Sequence, residues 1–209
     1  MIITKLNIKN NIIEIFLDEI NSFNCSENFQ LEHDLYEGKV IENFSFEELK
    51  NQAEVDLIKQ KAKNYCSTRL LCKSKLRNYI QKISKRKGIS IDKESIEKML
   101  SEFEEYNLIN DYEYTRKIVD SLTNKKKGLG FIKQKLHTLG IDKEIIINVL
   151  SESFDSDLEA ENLKSLIEKK RFFLEKKFSG DKLQQKLISF CIGKGYSFQD
   201  IKAALNTSV

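Results

Sequence analysis

Few side chains in this sequence are placed to do covalent or acid–base chemistry. Cys25, Cys66, Cys72 and Cys191 show no C-x-x-C spacing, and only His33 and His137 stand to join them. A zinc site needs clustered ligand pairs, so no metal is expected. The four cysteines read instead as buried free thiols of a reducing cytoplasm. The paired acids Glu47-Glu48 and Glu104-Glu105 have no histidine or second carboxylate pair nearby to complete a catalytic constellation, and they read as solvated helix faces. His137, between Leu136 and Thr138, reads as structural. No residue stands out as a nucleophile. No enzymatic activity and no cofactor are expected.

Positive charge is the chemistry the sequence does offer. Lys125-Lys126-Lys127 precedes Gly128-x-Gly130 and invites comparison with a phosphate loop, but the G-x-x-x-x-G-K-[ST] pattern and the upstream strand are missing. A solvated helix end or a partner contact fits better. Lys82, Lys85, Arg86 and Lys87 gather at the end of a basic helix. Two readings stay open there: contact with phosphate or an acidic protein surface, or simple placement against the helix's negative end. Lys169-Lys170-Arg171, Phe172-Phe173 and Lys176-Lys177-Phe178 interleave charge with aromatics. Base stacking is one reading. Phenylalanine at helical spacing is ordinarily core, and core is the expectation here.

The elements that must carry these residues are mostly helices. Proline is absent and glycine numbers 8 in 209 residues, so breakers are few. Charge divides unevenly: residues 1–50 hold 4 Lys/Arg against 10 Asp/Glu, and the remainder holds 31 against 22, a net of +9. The first stretch alternates as strands do, with Leu6 and Ile8, then Asn10-Asn11, then Ile13, Ile15 and Leu17, which predicts a β-hairpin. Ser26 is placed to cap a short helix carrying Phe29, Leu31 and Leu35, with Gly38 ending it before Val40-Ile41. Ser45 and Glu48 form a capping box, followed by Leu49, Ala53, Leu57 or Ile58, Ala62 and Tyr65 at helical spacing.

Beyond that point a pattern repeats. Gly88-Ile89-Ser90-Ile91-Asp92, Gly140-Ile141-Asp142 and Gly195-Tyr196-Ser197 each follow a basic amphipathic helix and precede a helix ending in leucine: Leu100, Leu150 and Leu205. Each glycine suits a left-handed helix stop, and each following Ser or Asp suits an N-cap. The unit is three helices in roughly fifty residues, and one such unit buries its apolar face poorly alone. The predicted fold is therefore mainly α: tandem three-helix repeats stacked into an elongated curved array, with a small N-terminal β-rich module. The expected segments are 1–44, 45–108, 109–153 and 154–209. Met1-Ile2-Ile3-Thr4-Lys5 does not resemble a signal peptide, and no uncharged stretch approaches membrane-spanning length.

The order and spacing of several stretches resemble the RecX family of bacterial regulatory proteins. Ala62-Lys63-Asn64-Tyr65-Cys66-Ser67-Thr68-Arg69 with Lys75-Leu76-Arg77-Asn78-Tyr79-Ile80 is similar to the opening of that family's first repeat. Leu108-Ile109-Asn110-Asp111-Tyr112-Glu113-Tyr114 resembles the link into the second. Lys127-Gly128-Leu129-Gly130, Ile132, Leu136 and Gly140-Ile141-Asp142 resemble the second repeat's middle, and Gly195-Tyr196-Ser197 with Ile201 and Leu205 the third repeat's end. Ile3-Thr4-Lys5, Ile15-Phe16-Leu17-Asp18 and Cys25-Ser26-Glu27 resemble the β module of one branch. Cys72 and Lys75 depart from the family's usual Ser and acidic residue, and Ile83 to Ile91 is longer and more basic than its usual turn.

The resemblance implies a cytoplasmic, monomeric, non-enzymatic modulator of the RecA recombinase. Such a protein lies in the groove of the RecA–single-stranded DNA filament and inhibits ATPase, strand exchange and co-protease activity, in the setting of recombination and the SOS response. DNA phosphate, single- or double-stranded, is a further potential contact. The expected partner-binding residues are Lys73, Lys75, Arg77, Lys82, Lys85, Arg86 and Lys87 in the first repeat, and Lys125, Lys126, Lys127, Lys133 and Lys135 in the second. Residues 51–100 alone hold 13 Lys/Arg against 5 Asp/Glu. The rival reading is a helix-turn-helix-like DNA-binding transcriptional regulator, which would ordinarily show a dimer seam. None is evident.

Overall fold

The computed structural model describes residues 1–42 and 44–206. The chain divides into two compact units, Met1–Asn110 and Asp111–Val209. The first unit opens with three antiparallel strands in the order β1-β2-β3: β1 (Ile3–Lys9), β2 (Ile12–Leu17) and β3 (Asn21–Ser26). Asn10 and Asn11 both take positive φ, 52° and 60°, as a two-residue I′ hairpin turn requires. Leu6 pairs with Ile15 and Ile8 with Ile13, so the predicted alternation lies in register. Composition does not foreshadow β3. Only Phe23 and Cys25 alternate inward in an otherwise polar segment, and pairing with β2 makes it a strand.

Ser26 caps α1 (Glu27–Glu32) by accepting from the Phe29 N–H. This helix is shorter than the sequence suggests. It stops at Asp34, with φ of 51°, while Leu31 is exposed and Leu35 is buried beyond the helix. Gly38 serves a later turn instead, where its N–H reaches the Ile3 carbonyl and Val40 bridges to Ile2.

The 21-residue α2 (Phe46–Cys66) begins with the Ser45–Glu48 capping box and serves two cores. Its first turns bury Leu49 and Ala53 with Ile13, Ile15, Leu17 and Phe23 of the sheet. Its later turns bury Ile58, Ala62 and Cys66 against α3 (Lys73–Lys87) and α4 (Lys93–Glu105). Ile58 rather than Leu57 takes the buried position. The sheet is thus tied to the first helical repeat by one continuous helix.

The described residues of the second unit form α5 (Asp111–Asn124), α6 (Leu129–Thr138), α7 (Lys143–Ser153), α8 (Ser156–Leu174), α9 (Gly180–Ile192) and α10 (Phe198–Asn206). Gly88, Gly140 and Gly195 have φ of 70°, 70° and 93°. The next residue in each case donates back to the carbonyl five positions earlier: Ile89 to Ser84, Ile141 to Leu136 and Tyr196 to Cys191. These are Schellman stops, which satisfy helix-end carbonyls and reverse the chain. Asp92, Asp142 and Ser197 then accept from N–H groups of the following helix. No helix among the described residues is long and apolar enough to cross a membrane.

Gly195 is more than a stop. A Cβ there would lie 2.3 Å from the Phe131 nitrogen, and one on Gly128 would lie 2.6 Å from the Gly195 backbone. The turn of the third repeat packs backbone to backbone on the start of α6. Gly193, with φ of −64° and nothing closer than 3.5 Å, has room for a methyl. Gly128→Ala and Gly195→Ala should each destabilise the protein by at least about 2 kcal/mol. Gly193→Ala should be neutral or stabilise by up to about 1 kcal/mol, since it narrows the unfolded ensemble. Urea unfolding of the three variants checks the contrast.

Asp56 of α2 leaves its buried Oδ2 without a partner. Burial pushes its carboxyl above the usual carboxylate range, against the opposing pull of a hydrogen bond with Ser26. A folded pKa above the unfolded value means the native state holds the proton longer. Stability on this account is greatest below the ordinary value near 3.8 and falls as pH rises through the raised folded value. Asp56→Asn should remove that slope, so its stability relative to wild type should rise from about pH 4 towards neutrality. Chemical unfolding midpoints across pH measure it.

Candidate functional site

The basic residues of α3 fall into two groups. Arg77 makes a bidentate pair with Glu97 of α4, at 2.9 and 2.8 Å, and Lys73 reaches Glu104 at 2.6 Å. The Arg77 guanidinium holds the Glu97 carboxyl below its ordinary range. Lys59 of α2 binds Glu102 at 2.7 Å, so three cations of α2 and α3 clasp three carboxylates of α4. Lys73 and Arg77 therefore serve the repeat's own packing. Lys75 is exposed. Lys82, Lys85, Arg86 and Lys87 are exposed as well and make no ion pair among the described residues. The last three occupy the final turn of α3, where the carbonyl ends favour positive charge.

In the second repeat the Lys125-Lys126-Lys127 stretch leads into α6, whose first N–H groups are already used. Gly128 donates to the Lys194 carbonyl and Gly130 to the Gly195 carbonyl, both at 3.0 Å. Leu129 donates to Glu159 Oε1 of α8 at 2.7 Å. Gly128 carries no capping side chain, so Glu159 caps the helix from outside. Burial raises the Glu159 carboxyl, while this backbone hydrogen bond opposes the rise. A phosphate would find its donors taken. Lys126, with φ of 54°, donates from Nζ to Ser165 Oγ, and its carbonyl accepts from the Tyr196 hydroxyl. Lys127 lies 4.1 Å from the centroid of Phe131. Lys125, Lys133 and Lys135 are exposed.

The third repeat corrects one expectation. Phe172 and Phe173 are not core: they are 62% and 64% exposed, edge to face at 5.6 Å. The buried stripe of α8 runs through Leu163 and Ile167 to the half-buried Leu174, and neither phenylalanine falls on it. Lysine ammonium groups stand over aromatic rings through this repeat: Lys176 over Phe172, Lys170 and Lys194 over Phe190, and Lys202 over Phe198.

A family model described as the third three-helix domain of RecX matches residues 157–205, the span of α8 to α10. A regulatory protein RecX from Caldanaerobacter subterraneus is 26% identical over 99% of both chains. Another from Listeria innocua is 29% identical over 91% of this chain and 68% of its own length. Over nearly its whole length the chain is similar to proteins named regulatory protein RecX, and its last three helices match a RecX domain. A crystal structure of regulatory protein RecX superposes with a TM-score of 0.76 over 98% of each chain, at 21% identity, a likeness of fold.

Sequence reasoning finds the exposed end of α3 but not the internal clasp. Neither the Arg77–Glu97 nor the Lys73–Glu104 partnership has local spacing to reveal it. The exposed aromatics were detectable: extending the stripe from Leu163 and Ile167 at helical period reaches Lys170 and Leu174, not Phe172 or Phe173. Replacing Lys82, Arg86 and Lys87 together by Ala should leave Tm nearly unchanged at moderate salt, where the helix-end charge interaction of an exposed turn is screened. Arg77→Ala should lower stability by roughly 0.5–1 kcal/mol, the range for a half-exposed pair of good geometry. Thermal and urea unfolding of both variants separate surface charge from packing charge.

Proposed function

We propose that this chain is a RecX-type regulator of the RecA recombinase and catalyses no reaction of its own. Its repeats dock as a monomer into the groove of the RecA–single-stranded DNA filament in the cytoplasm. There they inhibit ATP hydrolysis, strand exchange and co-protease activity. The observation that carries this reading is the whole-chain match to a protein named as a regulatory RecX, 99% of each chain aligned. The exposed cations Lys82, Lys85, Arg86 and Lys87 support it, since a groove lined by acidic protein and DNA phosphate favours such a surface. Lys75, Lys125, Lys133 and Lys135 extend it. Lys73, Arg77, Lys126 and Lys127 contribute mainly by holding the repeats in shape.

Substoichiometric amounts of the protein should reduce single-stranded-DNA-dependent ATP hydrolysis by the cognate RecA. A flat titration to equimolar protein would refute the proposal. The Lys82/Arg86/Lys87 triple alanine variant should bind the filament more weakly at low salt. Where phosphate supplies the grip, its log–log salt slope should flatten by roughly 0.7 for each single-strand phosphate that the variant no longer neutralises. Ion pairs with acidic RecA side chains would weaken with salt without that fixed increment. Unaltered affinity would move the binding surface off the end of α3.

A further inference from the structure

Lys169, Phe172, Phe173 and Lys176 stand at i, i+3, i+4 and i+7, a spacing that puts them on one face of α8 and the turn that follows it. All four are exposed, and none falls on the stripe that α8 buries through Leu163 and Ile167. Two adjacent phenylalanines more than 60% open to water are unusual on a surface helix and ask for an occupant. Charge narrows the choice. Residues 164–186 hold 8 Lys/Arg against 3 Asp/Glu, and one of those acids, Glu175, lies within 4.0 Å of Arg171. An apolar protein surface would have to strip water from Lys169 and Lys176 to reach the rings. Single-stranded nucleic acid would not: bases stack on the rings while phosphates meet the ammonium groups.

The same side of α8 leads back to more positive charge. Ser165, one turn before Lys169, accepts from Lys126 Nζ at 2.7 Å. Ser165 and Phe172 are separated by about 10 Å along the helix axis. Cationic and aromatic side chains therefore share one side of α8.

We infer that the α8 face of Lys169, Phe172, Phe173 and Lys176 is a stacking site for single-stranded nucleic acid, engaged by the chain without a protein partner. The site reads no base sequence, because every base presents a π face. It is separate from the RecA reading, and either can fail without the other.

The test uses the full chain, no RecA, and a labelled oligothymidine of about 16 nucleotides, the upper end of common site sizes. The protein has no tryptophan, so Phe172→Trp introduces a single indole at the site. Its emission should be quenched by oligothymidine along the same isotherm that anisotropy reports. Phe172→Ala and Phe173→Ala should each weaken binding by at least about fivefold, the low end of the stacking range. Both rings are exposed, so unfolding midpoints should not move. A backbone of abasic residues should bind more weakly than oligothymidine by a similar factor. Equal binding of the abasic strand, or unchanged indole emission at saturation, would overturn the proposal in favour of phosphate contact alone. Quenching by phosphatidylserine vesicles with none by oligothymidine would overturn it in favour of a membrane surface.

Discussion

An α-helix leaves its last carbonyls without partners, and a chain that must turn back at once has few ways to satisfy them. This protein uses one solution repeatedly. A residue in the left-handed region stops the helix, and the next N–H reaches five positions back. Gly88, Gly140 and Gly195 do this between the second and third helix of each repeat. Asp34, Asn107 and Lys126 do it elsewhere, with Leu35, Leu108 and Lys127 as the following donors. The following residue commonly carries an apolar side chain into the core, as Ile141 and Tyr196 do. The third helix of each repeat covers its partners only because that turn aims it there.

Where two such turns meet backbone to backbone, glycine becomes a packing requirement. The approach of Gly195 to Gly128 and Gly130 leaves no space for a Cβ and satisfies two N–H groups at the start of α6. Glu159 takes the third. A Lys-Gly-x-Gly stretch that resembles a phosphate cradle is thereby turned inward, and its donors hold the second and third repeats together. The lysines before it divide in the same way, Lys126 and Lys127 engaging neighbours while Lys125 faces water.

A similar division governs the charge of the first repeat. Lys73 and Arg77 of α3 face α4, where Glu104 and Glu97 receive them, whereas Lys85, Arg86 and Lys87 in its last turn form no ion pair among the described residues. Exposed pairs of this kind add little stability individually. Their consequence is that net charge overstates the surface free for a partner. In the third repeat, Lys170, Lys176, Lys194 and Lys202 sit over aromatic rings, and Phe172 and Phe173 lie off the apolar stripe of α8.

Local pattern alone determined a great deal here. The Asn10-Asn11 hairpin, the Ser45–Glu48 box, the glycine stops with their Asp or Ser caps, and the helical rhythm are all short-range, because turn chemistry and period act within a few residues. The resemblance to RecX was legible for the same reason: the family's signature is the order of those stops and caps. Long-range contacts decided the rest. β3 is a strand because β2 pairs with it, not because Asn21–Ser26 is apolar. Gly195 must be glycine because of Phe131, 64 positions away in the chain, and Arg77 and Lys73 are structural because α4 folds back beside them. Which lysines remain available to a partner depends on distances between residues far apart in sequence, and periodicity carries no information about those.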